Sequence, residues 1–245
     1  MWIEAESCIG CERCVAYCPS DAISLADDGA AVIDDELCTE CSTCLRVAGC
    51  PVDVFRRSEV ESASREIRGF FSDPAATHSL TQVPGRGTEE VKTNDVTGRV
   101  TSGEVGIAVE MGRPCLGTTL KEVENVTKAL ASLKVHYEQR NPVAHLLESE
   151  ETGQIKPEYL GERVTSLILE FTVDEKELEN VVSVLLRTAQ DLGTVFTLDV
   201  MSCFDANGSI PVMDKLSNLG LEPRPNAKVN LGLGRPLAVG KGDIS

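Results

Sequence analysis

Aromatic side chains are scarce in this sequence: six Phe, three Tyr and a single Trp, 4% of 245 residues. That scarcity removes the stacking platforms on which single-stranded nucleic acid is bound. Positive charge is also in short supply. Lys and Arg number 23 against 39 Asp and Glu, a net charge of -16, so the surface repels nucleic acid and acidic headgroups and favours a basic partner. No apolar run approaches the roughly 18 residues that suggest a membrane span. The N-terminal Met1-Trp2-Ile3-Glu4 has neither a basic flank nor an apolar signal core. A cytoplasmic protein with no nucleic-acid partner and no membrane insertion is expected. Catalytic signatures are missing too: there is no His-Glu-x-x-His, nucleophile elbow or flavin fingerprint. The histidines, His78, His136 and His145, are scattered with no partner at a catalytic spacing. A hydrolase is not expected.

What is abundant is cysteine, and it is concentrated. Eight of the ten cysteines lie between Cys8 and Cys50, with only Cys115 and Cys203 outside. In a reducing compartment they are not expected to form disulfides. Two half-blocks repeat with an offset of 30 residues: Cys8, Cys11, Cys14 and Cys18-Pro19, then Cys38, Cys41, Cys44 and Cys50-Pro51. Three cysteines at gaps of two let one short loop wrap three corners of an iron–sulfur cubane, while the fourth, followed by proline, ligates the other cluster. This spacing assigns Cys8, Cys11, Cys14 and Cys50 to one 4Fe–4S cluster and Cys38, Cys41, Cys44 and Cys18 to a second. A pair of structural zincs is the alternative. Zinc accounts neither for the third cysteine at the same spacing in both halves nor for the two Cys-Pro steps.

The pattern resembles the bacterial-type ferredoxin with two 4Fe–4S clusters, and the likeness covers residues 1–57. The resemblance implies a short strand before each block, at Trp2-Ile3-Glu4 and Ala31-Val32-Ile33, and a short helix after each fourth cysteine. The sequence departs from the pattern once: five residues, not three, separate Cys44 from Cys50, a bulge that Gly49 permits. With all eight cysteines used as ligands no iron is left open to substrate, which favours electron transfer over bond chemistry. Residues 1–57 also carry 11 acidic against 4 basic side chains, and surrounding negative charge pushes a cluster potential down.

Residues 58–98 read as a linker or junction segment. Ser58 to Phe71 predicts a short helix with Ile67, Phe70 and Phe71 on one side, followed by the breakers Asp73-Pro74 and Pro84-Gly85-Arg86-Gly87. The competing reading of the second breaker is an anion-binding loop, with the Gly85 and Gly87 amides beside Arg86.

Residues 99–245 read as an α+β domain. Val105, Ile107, Val109 and Met111 step by two, as in a half-buried strand. Thr118-Thr119 cap a helix carrying Leu120, Val123, Thr127, Leu130 and Leu133. Val135 and Tyr137 suggest a short strand, and Leu167, Leu169, Phe171 and Val173 a strong one. Asp174 is a candidate N-cap for a helix with Leu178, Val181, Val182 and Leu185 on one face, and Phe196, Leu198 and Val200 form a last strand. The order βαββαβ fits a ferredoxin-like sandwich without a cluster of its own. Gly112-Arg113-Pro114 recurs as Gly234-Arg235-Pro236 in the tail. If the two meet, Arg113, Arg235 and Lys228 make a candidate site for a small anionic ligand; otherwise each arginine serves a nearby carboxylate.

The functional expectation is an iron–sulfur electron-transfer protein relaying low-potential electrons to a dedicated redox enzyme partner, docked through its C-terminal domain. A reductase, a dehydrogenase or an ATP-driven activase would each fit. The alternatives are a small-anion-binding redox sensor or oxidoreductase built on the Gly-Arg-Pro loops, and a stand-alone ferredoxin with a stabilising appendage.

Overall fold

Cysteine loops leave little room for regular structure, and in the computed structural model the first 57 residues contain only short pieces of it. The structure describes residues 1–57, 63–83, 98–113 and 116–225. Strand β1 (Trp2–Ile3) and the antiparallel pair β2 (Ile23–Leu25) and β3 (Ala31–Ile33) come first, the pair in register Ile23 with Ile33 and Leu25 with Ala31. Helix α1 (Thr43–Arg46) follows, and β4 (Phe55–Arg56) returns to pair antiparallel with β1. Met1, Ile23, Ala31, Ala48 and Phe55 form a small core against Cys14 and the other cysteines. Two isolated ribbons over so few apolar residues are marginal on their own, so the sulfurs and whatever they hold are part of the packing.

The strands at Trp2 and Ala31 stand where expected. The helices do not follow the fourth cysteines: a 3-10 turn at Val15–Tyr17 and α1 precede Cys18 and Cys50, and β2 and β4 come after them. The cause is local. Pro19 and Pro51 lack an N–H to donate, and Asp21 and Asp53 sit in the left-handed region, at φ 53° and 49°, where a right-handed helix cannot continue.

Helix α2 (Ala63–Ser72) buries Ile67, Phe70 and Phe71, the face the spacing predicted. These residues belong to the core of the second unit, with Phe71 fully buried. The Gly85-Arg86-Gly87 stretch lies outside the described residues.

The second unit is built on a four-stranded antiparallel sheet. Its first strand, β5 (Glu104–Met111), is followed by the short β6 (Thr118–Thr119), then helix α3 (Leu120–Leu130). Thr119 closes a capping box with Glu122 at the start of α3. Next come β7 (His136–Tyr137), the ribbon β8 (Leu147–Ser149) with β9 (Gln154–Ile155), and β10 (Arg163–Val164), which pairs with β6. Strand β11 (Leu167–Asp174), helix α4 (Leu178–Ala189), β12 (Phe196–Ser202) and helix α5 (Val212–Asn218) complete the described chain. The sheet order is β12-β5-β11-β7, with Ile107 opposite both Phe171 and Val200. Odd-numbered residues of β5 and β11 share one core with Val123, Val126 and Leu130 of α3 and Val181, Val182 and Leu185 of α4, and Phe196, Leu198 and Val200 of β12 pack against it.

Two expectations need correction here. Strand β5 is buried on both faces, because Val100 and Met201 cover its second side at Gly106, where a Cβ would lie 2.8 Å from Val100 Cγ2. Asp174 does not cap a helix with its side chain. It pairs with Lys176, and the chain passes through a 3-10 turn at Glu175–Glu177 before α4 begins.

Helix α2 joins the two units. The Arg68 guanidinium, 8% exposed, donates to the carbonyls of Asp35 and Cys38 at 2.7 and 2.8 Å and pairs with Glu162. Thr39 and Thr165 hydroxyls meet at 3.2 Å, and the Thr165 N–H donates to Ser72 Oγ. Asp73 accepts from Arg46 of α1 and from Arg57. If α2 is a core element and not a tether, Phe71→Ala should lower the unfolding free energy of the second unit by about 3–5 kcal/mol. Chemical denaturation monitored by far-UV circular dichroism measures this; a loss near zero would return the helix to linker status.

Candidate metal centre

The two cysteine loops share a backbone conformation as well as a spacing. Counting from Cys8, the third and fifth positions, Gly10 and Glu12, have φ of 63° and 60°; counting from Cys38, Glu40 and Ser42 have φ of 58° and 57°. Interleaved left-handed residues turn successive N–H groups into a concavity that suits anionic sulfur. Such a conformation costs roughly 1–2 kcal/mol at a residue other than glycine. Gly10 is held to glycine by space too: a Cβ there would lie 2.5 Å from the carbonyl oxygen of Gly29. Glu40 fills the equivalent place in the second loop and turns its carboxylate to the Met1 amino group, at 2.7 and 2.9 Å, and to Arg65.

The fold separates the eight sulfurs into two sets. Burial pushes the Cys14 thiol pKa up, and Cys11, Cys8 and Cys50 add like-charge repulsion. Burial pushes Cys44 up to about 12, aided by Cys41, Cys38 and Cys18. Each loop of three therefore has the fourth cysteine of the other half beside it. Cys38 is likewise raised, chiefly by burial. Backbone donors at Cys14, Glu40 and Leu45 oppose the rise at Cys14, Cys38 and Cys44. The N–H groups of Ala31 and Ala22 donate to the sulfurs of Cys8 and Cys18 at 3.4 and 3.2 Å.

The donor set fits a polynuclear centre. The thiols of Cys14, Cys38 and Cys44, which burial holds protonated, need a multiply charged metal group to displace their protons. Ile3, Val54 and Phe55 wall one side of the first set. Among the described residues no three His, Cys, Asp or Glu side chains come close enough to hold a single metal ion. Tetrahedral zinc, with Zn–S bonds of ~2.3 Å, would need its sulfurs about 3.8 Å apart.

The sets differ in surroundings. Around the first, Cys11 is exposed and Ile9 is 62% exposed. Against the second lie Arg68, Thr165 and the Arg46–Asp73–Arg57 group. One set opens outward, the other toward the second unit.

The remaining sequence candidates fare differently. Arg113 pairs with Glu110 at 2.9 Å. Arg235, Lys228 and Cys115 lie outside the described residues, so the Gly-Arg-Pro site has one described member. Cys203 is half-buried and donates to the Val100 carbonyl at 3.4 Å. The histidines are less scattered than the sequence suggested. His78 and His145 lie with ring centroids 5.9 Å apart and planes tilted by 40°, and the Phe70 ring centroid lies 4.8 Å from that of His78. No local motif announces this pair, because tertiary packing brings together residues distant in sequence.

A family model described as a 4Fe-4S dicluster domain matches residues 1–56. The chain is similar to a ferredoxin from Pyrobaculum islandicum, 33% identical over 92 residues, which cover 37% of this chain and 81% of that protein. Over 47 residues it is similar, at 43% identity, to one component of the Na(+)-translocating ferredoxin:NAD(+) oxidoreductase complex of Acetobacterium woodii, covering 19% of this chain and 14% of that one. Over 59 residues it is 32% identical to the pyruvate synthase subunit PorD of Methanocaldococcus jannaschii, covering 24% and 66% of the two chains. The chain thus spans a small part of the Acetobacterium protein and just under two thirds of the Methanocaldococcus one. No solved structure matches.

Gly10→Ala should break the first loop while sparing the second, so bound iron should fall by about half in anaerobically prepared protein; iron analysis beside visible absorbance checks it. Asp73 gives a pH test. Burial alone would raise its pKa, but bonds from the Ala75 N–H, Ser42 and Arg46 prevail and hold it below the ordinary 3.8. Its contribution is complete above that ordinary value and is lost as pH falls through the lowered one. Asp73→Asn should therefore melt below the wild type at neutral pH, with the gap closing as pH falls past 3.8.

Proposed function

The chain belongs to the ferredoxin family through its N-terminal segment, and on that footing we propose that it is an electron-transfer protein with two 4Fe–4S clusters. Cys8, Cys11, Cys14 and Cys50 hold one cluster, Cys38, Cys41, Cys44 and Cys18 the other. The chain passes low-potential electrons to a dedicated redox enzyme that docks on its C-terminal unit. The observation that carries this reading is the crossing of the fourth cysteines: Cys50 stands with the first loop and Cys18 with the second. A cluster whose irons all have thiolates supplies one-electron chemistry and no open coordination position.

The chain's own residues set the conditions of that transfer. Eleven acidic against four basic side chains in residues 1–57 lower the potentials, while the N–H groups of Ala31 and Ala22 on Cys8 and Cys18 raise them. Exposed Ile9 and Val52, beside Cys11, give electrons a short way in or out on the outward side. Cys38, held through its carbonyl by Arg68, faces the second unit. The strand order β12-β5-β11-β7 under α3 and α4 supports reading that unit as a split βαβ sandwich, a fold that adds docking area without chemistry of its own. Similarity to subunits of two redox enzyme complexes supports an enzyme partner.

Anaerobically prepared full chain should carry about eight irons and two separately reducible centres. Cys50→Ala should abolish one electron paramagnetic resonance signal and Cys18→Ala the other. Zinc in place of iron, or a single signal lost in both variants, would refute the assignment. Partner docking is read by co-purification: a stoichiometric redox enzyme should be retained by the full chain and lost from residues 1–57 loaded with iron.

A further inference from the structure

A cavity of about 310 Å3 lies between α2, the second cysteine loop and the second unit. Its volume falls at the low end of the roughly 300–1,000 Å3 common for small-molecule sites. Glu40, which stands between Cys38 and Cys41, and Arg57 line one side; Phe70, His78, His145 and Lys156 line the others. Ile67 and Leu146 supply further apolar wall.

His78 is the informative side chain. It is 4% exposed, and its Nδ1 accepts the Thr81 N–H at 3.2 Å and meets the Thr81 hydroxyl at 3.0 Å. A ring nitrogen that accepts a backbone N–H has no proton, so the proton is on Nε2. Among the described residues nothing accepts that Nε2–H, and His78 lines the cavity. Burial and the neighbouring His145 both lower its pKa, so the ring stays a neutral donor. That Nε2–H is open to the cavity, where a ligand or water can accept it.

The charges around the cavity point to the sign of that ligand. Glu40 is already paired with the Met1 amino group and Arg65, and the Asp73 carboxylate is shared between two guanidiniums, Arg46 and Arg57. Lys156 donates to the His145 carbonyl at 2.9 Å and has no carboxylate among the described residues. Glu66 is exposed. Of the lining cations, Arg57 is taken by Asp73, and Lys156 is left facing the cavity with no carboxylate of its own among the described residues, beside an apolar wall.

We propose that this cavity is a binding site for a small organic carboxylate, which accepts from His78 Nε2 and faces Lys156 while its apolar body rests on Phe70. Inorganic phosphate offers charge but nothing for the apolar wall and should bind poorly. The site does not depend on electron transfer, since iron content and the two cluster signals are measured separately from ligand uptake.

The test is calorimetric titration of the anaerobically prepared full chain with acetate, pyruvate, succinate and benzoate, and with inorganic phosphate. At least one carboxylate should bind with a dissociation constant below about 1 mM. His78→Asn keeps an acceptor for the Thr81 N–H but removes the Nε2 donor, and should weaken that binding about tenfold or more. If that variant does not fold, Lys156→Gln should weaken binding in the same direction. Bound carboxylate should also shift the resonance signal of the cluster that Cys18→Ala removes, because Glu40 lies in that loop. No heat from any carboxylate at about ten times that concentration, equal affinity in the variants, or binding of phosphate alone would overturn the proposal.

Discussion

The guanidinium of Arg68 is where three parts of the chain meet. It is nearly buried, and it donates to two carbonyls of the second cysteine region and to Glu162 of the larger unit. A cation taken out of water costs several kcal/mol unless its donors are met. Here several partners come from separate stretches of sequence, so the contact is satisfied only when the cysteine loop, α2 and the β10 region are assembled together. That requirement ties the geometry around Cys38 to the packing of Phe70 and Phe71 in the second core. The same helix then forms one wall of the cavity that holds His78.

The cysteine region depends on its sulfurs for more than ligation. Its apolar core is a handful of residues, its loops hold Glu12, Glu40 and Ser42 in a strained backbone region, and its buried thiols repel one another when ionised. All three effects oppose the folded apo-chain. They are offset when a cationic group binds the sulfurs, so folding and metal uptake are one equilibrium in this segment. The second unit, with its buried β5 and β11, has a core of its own.

Ligand spacing is a local property, which is why the cysteine pattern is legible in the chain alone. The Thr119 cap is legible for the same reason: Thr119 and Glu122 sit one turn apart and close their box without help from elsewhere. What the sequence hid was set by distant contacts. The alternation in β5 marked one buried face, but nothing in it said that Val100 and Met201 would cover the other. Asp174 had the right identity for a cap, and Lys176 drew its carboxylate away. The left-handed turns at Glu40 and Ser42 carry ordinary residues and no glycine to signal them, although Gly10 marks the matching turn in the first loop. His78 and His145 meet only through the fold.

The extra residues between Cys44 and Cys50 break the twofold likeness of the cysteine halves. Where the first half has a single 3-10 turn ending at Cys18, the second has room for α1, and α1 carries Arg46 to Asp73. The insertion is thus a bracket and not slack. A symmetrical small carrier presents similar flanks and can tumble free of any neighbour. By growing one loop, this molecule gives itself a front and a back, with one flank fastened to its own larger half and the other left for encounters.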